Sequence, residues 1–234
     1  EYNPYIDGGN EEYYMNLIAD AMEPYLAASG IQFTRNTPDM TAASSIAASN
    51  AGNYDLHLAL HSNAVGSGQQ STVRGIDAYY YPGSVSGKRF ADIAANNLQL
   101  IYPLPGMVKT VPTTRLGEVA RVRAPGVLIE LGYHDNPLDA DWIRNNINNI
   151  AENLVLSLTE YFGIPFNMPQ PIQVGYVSTE GSNLNIRSRP DIGAPIIGKI
   201  PNGSEIVIYN RLPEWDLAGY GGVMGYVSSR YVAV

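Results

Sequence analysis

The chain has 234 residues, no cysteine and a formal net charge of −8. The lack of cysteine excludes disulfides, thiolate metal sites and a thiol nucleophile, which leaves histidines and carboxylates as the candidates for chemistry. Residues 172–234 hold five acids and five bases, so the whole acidic excess lies upstream. An acidic surface argues against nucleic acid as a partner, because phosphate binding requires clustered lysine and arginine.

Upstream of residue 163, the apolar spacing alternates between that of helices and that of strands. Six segments carry it, in chain order: helical 15–26, strand 56–60, strand 76–81, helical 90–101, strand 126–129 and helical 142–161. This alternation is typical of an α/β domain with a mostly parallel sheet flanked by helices.

Three prolines in seven residues follow the last helical segment, at Pro165, Pro169 and Pro171. Proline lacks an amide donor and biases its predecessor towards extended structure, so this stretch predicts a linker. We therefore expect one domain over residues 1–164, a linker over 165–171 and a second domain over 172–234.

In the second domain, short strands are broken by turn residues every eight to twelve positions, which predicts a small all-β barrel. Its motifs resemble the bacterial SH3 family in order and spacing. They are Ser182–Pro190, Ile197–Gly203, the single residue Trp215 and Gly225–Val232. We expect four of its residues in the core: Tyr176, Ile186, Ile206 and Val227. Four others are candidates for an aromatic, peptide-binding groove: Tyr209, Trp215, Tyr220 and Tyr231.

The chain has only three histidines, His57, His61 and His134. His61 ends the strand that begins near Asp55, and the carboxyl end of a strand is where open α/β sheets place their sites. His57 lies four residues earlier, roughly 13 Å away at strand rise, so at most one of the two binds a given ion.

Glu130 ends the apolar strand that begins at Val127, where a carboxylate is either paired, coordinating or acting as an acid or base. The structural alternative is that Glu130 pairs with Arg121 or Arg123. Glu11 and Glu12 open the first helix, where carboxylates are ordinarily favourable partners of the helix dipole.

Four stretches together resemble the zinc-dependent N-acetylmuramoyl-L-alanine amidases usually called type 3: Glu12–Leu17 for the ligand-bearing helix, Phe33–Arg35 for the next strand, Asp55–Asn63 for the histidine strand and Ala124–Tyr133 for the catalytic glutamate. The resemblance implies that Glu12 and His61 bind one zinc ion and that Glu130 is the catalytic carboxylate. It further implies hydrolysis of the amide between N-acetylmuramic acid and L-alanine of peptidoglycan by zinc-activated water.

The SH3-like domain, by its own resemblance, implies binding of cell-wall peptides, and the domain pair implies a secreted or cell-wall autolysin. No apolar run reaches the roughly 20 residues of a membrane span. Residues 1–20 lack a signal-peptide pattern, so a secreted form is expected to have lost its signal.

The chain departs from the family at the first histidine, which should stand in a turn before the ligand-bearing helix. The chain has Tyr5 to Asn10 there, without histidine, so either its start is lost or the turn is replaced. His134, with Asp135 beside it, is the candidate third ligand. An inactive or weakly active amidase-like wall-binding protein, and a zinc peptidase that cuts within the stem peptide, remain alternatives to the amidase.

Overall fold

A computed structural model describes residues 9–66 and 70–234 of the chain. The described residues divide into two compact units, one of residues 9–22, 34–66 and 70–161 and the other of residues 23–33 and 162–234. The division near residue 162 lies close to the predicted linker, whereas the assignment of residues 23–33 to the second unit has no counterpart in the predicted boundaries.

The first unit is built on a four-stranded sheet. Its strands are β1 (His57–Asn63), β2 (Ile76–Tyr80), β3 (Val108–Pro112) and β4 (Gly126–Tyr133). They lie in the order β1-β4-β2-β3; β1 pairs parallel with β4 and β2 parallel with β3, while β2 and β4 pair antiparallel. Two of these three pairings are parallel, which confirms the predicted α/β class.

Six helices accompany these strands in the described part of the chain. They are α1 (Glu11–Ala28), α2 (Ala42–Ala51), α3 (Val85–Leu98), α4 (Gly117–Ala120), α5 (Pro137–Asn145) and α6 (Ile147–Phe162). Helix α3 packs on β2 and β3, and α4 and α5 pack on β4, because their apolar stripes are buried there. None of the described helices is long and apolar enough to cross a membrane.

The predicted strand at Phe33–Arg35 is not formed, since residues 31–37 have no regular secondary structure. Phe33 is 41% exposed, unlike the apolar residue of a buried strand. Arg35 instead turns back to α1, where its guanidinium donates to Asn16 at 3.2 Å and pairs with Asp20. The predicted first-strand and turn region at residues 1–8 lies outside the described residues.

Strand β4 bulges near its end, where His61 pairs with Glu130 but Asn63 pairs with Tyr133. Gly132 lies at the bulge with φ +98°, a left-handed conformation that glycine adopts without strain. A side chain there would meet Asp139 at about 3.2 Å. The absence of a side chain at Gly132 therefore leaves room for the Asp139 carboxylate beside the bulge.

Asp139 is fully buried and is the acceptor of a hydrogen-bond network. Its oxygens accept from Arg74 Nε and the Tyr102 hydroxyl, both at 2.7 Å, and from the amides of Tyr133 at 3.1 Å and Gly75 at 3.2 Å. Because these donors come from the end of β4 and from the segments flanking β2 and α3, one carboxylate joins three parts of the unit.

We expect Asp139→Ala to lower the free energy of unfolding of this unit by about 3–5 kcal/mol, because it removes the fully buried acceptor of four hydrogen bonds and leaves the partly buried charge of Arg74 without its partner. Urea unfolding should be followed by the fluorescence of Trp142, which packs on Tyr102, in a Trp215→Phe background. The control is Asp141→Ala, which removes only an exposed pair with Arg144 and should cost less than about 1 kcal/mol. Equal losses in the two variants would contradict the role of Asp139.

The second unit contains seven strands: β5 (Gln173–Val177), β6 (Leu184–Arg187), β7 (Ile196–Ile200), β8 (Glu205–Arg211), β9 (Trp215–Tyr220), β10 (Val223–Ser228) and β11 (Val232–Ala233). They form one antiparallel sheet in the order β11-β5-β8-β9-β10-β6-β7. The predicted all-β domain is confirmed.

The core of this sheet contains three of the four predicted residues, since Ile186, Ile206 and Val227 are at most 1% exposed. The prediction for Tyr176 is wrong. Strand β5 alternates between faces, so Gly175 and Val177 point inward while Tyr176 is 51% exposed and donates to Glu205 at 3.3 Å. Among the proposed groove aromatics, Tyr209, Trp215 and Tyr220 are half-buried and Tyr231 is exposed.

The end of α1 is bonded into this second unit. The Asn167 side chain donates to the Ala28 carbonyl at 3.1 Å, and its backbone amide donates to Ser29 Oγ at 3.1 Å. The buried Asn210 amide donates to the Met168 carbonyl at 3.1 Å and to Ala28 at 3.4 Å. The predicted linker region thus has no regular secondary structure, but it is tied by hydrogen bonds within the unit.

Candidate functional site

A row of ionisable side chains crosses the sheet of the first unit. His61 on β1 pairs with Glu130 on β4, Glu130 pairs with Asp77 on β2, and Asp77 pairs with Lys109 on β3. Paired residues of neighbouring strands project to the same face of a sheet. The pairing register therefore brings together His61 and Glu130, the two site residues predicted at strand ends.

The imidazole of His61 is held between two carboxylates. Its Nδ1–H donates to Glu11 Oε1 at 2.9 Å, and its Nε2–H donates to Glu118 Oε2 at 3.1 Å. Glu11 Oε1 also accepts from the backbone amide of Ser62 at 3.0 Å. Since a carboxylate only accepts, both ring nitrogens carry hydrogen and His61 is an imidazolium.

The charges in this cluster shift the pKa values of His61 and Glu11. Burial lowers the pKa of His61, but the hydrogen bonds to Glu11 and Glu118 and the charges of Glu11 and Glu130 outweigh it and raise the pKa to about 10. Burial raises the pKa of Glu11, while its bonds to His61 and Ser62 lower it more, so the net shift is downward. The ion pair is thus stable at neutral pH.

Glu130 is the carboxylate whose ionisation is least favourable. Burial raises its pKa to about 7, with the charge of His61 opposing the shift and those of Glu11 and Asp77 adding to it. Its Oε2 is buried and has no hydrogen-bond partner in the described part of the chain. The alternative pairing with Arg121 or Arg123 is not among the ion pairs of the described residues. Glu130 is therefore poised to exchange a proton near neutral pH.

The structure brings Glu11, and not the predicted Glu12, to His61. Glu12 is exposed, whereas Glu11 lies on the buried stripe of α1 four residues before Met15 and seven before Ile18. Side chains separated by three, four or seven residues share a helix face, and Glu11 has this spacing to the buried Tyr14, Met15 and Ile18. The family resemblance favoured Glu12, because it matches the order of residues along the chain and does not determine which of them lie on the buried helix face.

Glu118 on α4 was not singled out from the sequence. Its side chain is only 15% exposed, and its two oxygens lie 3.1 Å from His61 Nε2 and 4.0 Å from His57 Nε2. His57 also bonds Ser49 Oγ through Nδ1 at 3.0 Å, and burial lowers its pKa. A lone glutamate beside Val119 in an otherwise apolar turn was the available signal.

His134 is hydrogen-bonded to β1, the strand that carries His61. It is buried, and its Nδ1–H donates to the Ser62 carbonyl at 2.9 Å. Asp135 accepts from the Val65 amide at 2.7 Å through Oδ2. A role of His134 or Asp135 as a third ligand stays a prediction.

The donor types of this cluster suit a divalent cation such as zinc, because imidazole and carboxylate are its usual protein ligands besides thiolate. The unpartnered Glu130 Oε2, with Glu11 nearby, also indicates carboxylate oxygens in excess of their donors. Across residues 9–66 and 70–234, however, no three histidine, aspartate or glutamate side chains lie close enough together to bind one metal ion. The reason is visible at His61, whose two carboxylates lie on opposite ring nitrogens.

Comparison with known proteins gave consistent results. Residues 3–160 match the family model described as N-acetylmuramoyl-L-alanine amidase, and residues 182–233 match the bacterial SH3 domain. A search of curated proteins found no match.

Solved structures of such amidases share the fold of the first part of the chain. The enzyme from Clostridium difficile 630 has 18% identity and a TM-score of 0.59 over 67% of this chain and 86% of its own. AmiC2 of Nostoc punctiforme has 21% identity and a TM-score of 0.58 over 69% and 89%. Ami1 of Mycobacterium smegmatis has 17% identity and a TM-score of 0.60 over 70% and 82%.

We expect chelator-treated protein to show His61 titrating near pH 10 and His57 titrating below the usual value of 6.5, followed through their C2 protons by NMR. Because the folded pKa of His61 lies above the unfolded one, its stabilisation is fully present below about pH 6.5 and is lost as pH rises towards 10. His61→Ala identifies the resonance. If His61 titrates with an ordinary pKa, the hydrogen bonds from its two ring nitrogens to Glu11 and Glu118 are contradicted.

Proposed function

The chain belongs to the N-acetylmuramoyl-L-alanine amidase family, and from that premise we propose that it hydrolyses the amide between N-acetylmuramic acid and L-alanine of peptidoglycan with the help of one zinc ion. The observation that carries the proposal is the register pairing of His61 with Glu130 near the carboxyl ends of β1 and β4. It places an imidazole beside a carboxylate that has a pKa of about 7.

His61 and Glu11 are the residues that would hold the ion, with Glu11 in the role that the family resemblance implied for Glu12. Such an ion supplies polarisation of the amide carbonyl and a lowered pKa for water. The Ser62 amide, which donates to Glu11 Oε1, keeps that carboxylate turned towards the ring of His61.

Glu130 performs the proton transfers in this proposal. Its ionised form accepts a proton from the attacking water, and its protonated form delivers that proton to the departing amine of L-alanine. A carboxylic acid with a pKa of about 7 populates both forms at neutral pH. Burial of Glu130 beside Asp77 and Glu11 is the physical cause of this balance.

The SH3-like domain would bind cell-wall peptides and keep the amidase domain at its polymeric substrate, in a secreted or cell-wall protein. Support comes from the family match over residues 182–233 and from the exposed Tyr231. Tyr220 packs against the core cluster of the sheet, which leaves less of it for a ligand. Tethering raises the local concentration of substrate without adding a catalytic contact.

The first test is zinc content by elemental analysis, together with mass spectrometry of the products released from muropeptides. We expect about one zinc per chain, free N-terminal L-alanine and free lactyl carboxyl groups on muramic acid, with the metal lost in His61→Ala because an imidazole ligand is removed. Glu12→Ala, which changes an exposed carboxylate, is the matched control and should keep the metal. Cuts within the stem peptide would indicate a peptidase instead. No metal and uncut muropeptides, with wall binding retained, would favour a binding protein.

We expect Glu130→Gln to lower kcat by about 10²–10⁴-fold, because an amide cannot carry the proton. Zinc content and thermal stability should stay close to those of the wild type, since Glu130 Oε2 has no hydrogen bond to lose in the described structure. Asp77→Asn, which changes a carboxylate in the same row, is the control for charge alone. A Glu130→Gln variant with full kcat would overturn the assignment.

A further inference from the structure

The two carboxylates that flank His61 lie on opposite edges of its ring. Glu11 accepts from Nδ1 and Glu118 accepts from Nε2, at 2.9 and 3.1 Å. One cation that binds the ring replaces the hydrogen of one nitrogen only. The carboxylate on the other nitrogen therefore remains a hydrogen-bond acceptor, which is the usual second partner of a metal-binding histidine.

The surroundings indicate which edge faces the chemistry. Glu11, which accepts from Nδ1, is among the charges that raise the pKa of Glu130. The Glu11 side chain is 30% exposed, whereas Glu118 is 15% exposed and turns its second oxygen towards the half-buried His57. A substrate can approach the Glu11 edge more readily than the Glu118 edge.

We propose that Glu118 is a positioning residue that accepts the Nε2–H of His61 and thereby keeps Nδ1 available for the ion beside Glu11. The proposal rests on the proposed function for the presence of zinc. It assigns a role to Glu118 that the sequence motifs do not give, and it specifies which nitrogen of His61 binds.

The backbone of Glu118 is held in place from several sides. Val119 is buried in a cluster with Ala59 and Leu128, so α4 is anchored against β1 and β4. Gly126 has no side chain, and a Cβ there would lie 2.7 Å from the Glu118 carbonyl, so glycine allows this close approach.

Asn50 fixes the chain that leaves α4. Its side chain donates to the Arg121 carbonyl at 2.8 Å and accepts from the Arg123 amide at 2.7 Å. Helix α4 has only four residues, so it has few internal hydrogen bonds and depends on these contacts for its position. The carboxylate of Glu118 is thus presented to His61 from a fixed support.

The test compares full-length wild type with Glu118→Ala and Glu118→Gln, measuring zinc affinity by competition with a chromophoric chelator. We expect about 10–100-fold weaker binding in Glu118→Ala, as for loss of a hydrogen-bond partner of a metal-binding histidine. Glu118→Gln retains an acceptor and should lose less. Asp55→Asn, which changes an exposed carboxylate ahead of β1, is the matched control and should bind as the wild type does.

A second readout is the protonation of His61 in ¹⁵N-histidine-labelled, zinc-loaded protein. The wild type should show a metal-bound Nδ1 and a protonated Nε2, and Glu118→Ala should show a changed or mixed tautomer at His61. Metal on Nε2 in the wild type, or unchanged affinity and tautomer in Glu118→Ala, would overturn the proposal while leaving amidase activity intact. A wild type that binds zinc in this way but leaves muropeptides uncut would support the role of Glu118 and refute the proposed function.

Discussion

The parallel pairing of β1 with β4 is the constraint on which the site depends. A shift of one residue in this register would turn every side chain of β1 to the other face, and His61 would no longer lie beside Glu130. The bulge at Gly132 fixes the end of the pairing, and the buried Asp139 carboxylate holds the bulge. A hydrogen-bond network away from the site therefore determines the position of its two central residues.

The electrostatics of the site follow from placing several carboxylates around one imidazole. Burying an unpaired carboxylate is costly, so the pKa of Glu130 is raised to about 7 while Glu11 and Glu118 share the charge of His61. A cation added to this cluster relieves the repulsion among the carboxylates. The excess of negative charge that raises the pKa of Glu130 thus also favours binding of the cation on which the proposed reaction depends.

Much of this was accessible from the sequence. Period-two and period-3.6 spacing predicted both fold classes, and strand ends marked His61 and Glu130, because these features are local. Glu118 could not be connected to His61, since the contact joins residues 57 apart through the packing of α4. The strand expected at Phe33–Arg35 failed for the same reason, because the side-chain bonds from Arg35 to α1 are tertiary and leave no periodic trace. Tyr176 was predicted to be in the core, but its neighbours Gly175 and Val177 lie on the buried face of β5 instead.

The second unit is assembled from two pieces of chain, residues 23–33 and 162–234. The bond from Asn210 to the Ala28 carbonyl joins residues 182 positions apart. During synthesis on the ribosome, the earlier piece therefore emerges long before the strands that it joins, and its bond to Asn210 forms only after those strands have been made. Long-range closure of this kind slows folding and prolongs exposure to aggregation. A barrel excised at residue 172 and fused to another enzyme would lack this piece, so Leu217 and Tyr226, which approach Gly30, would become newly exposed to water.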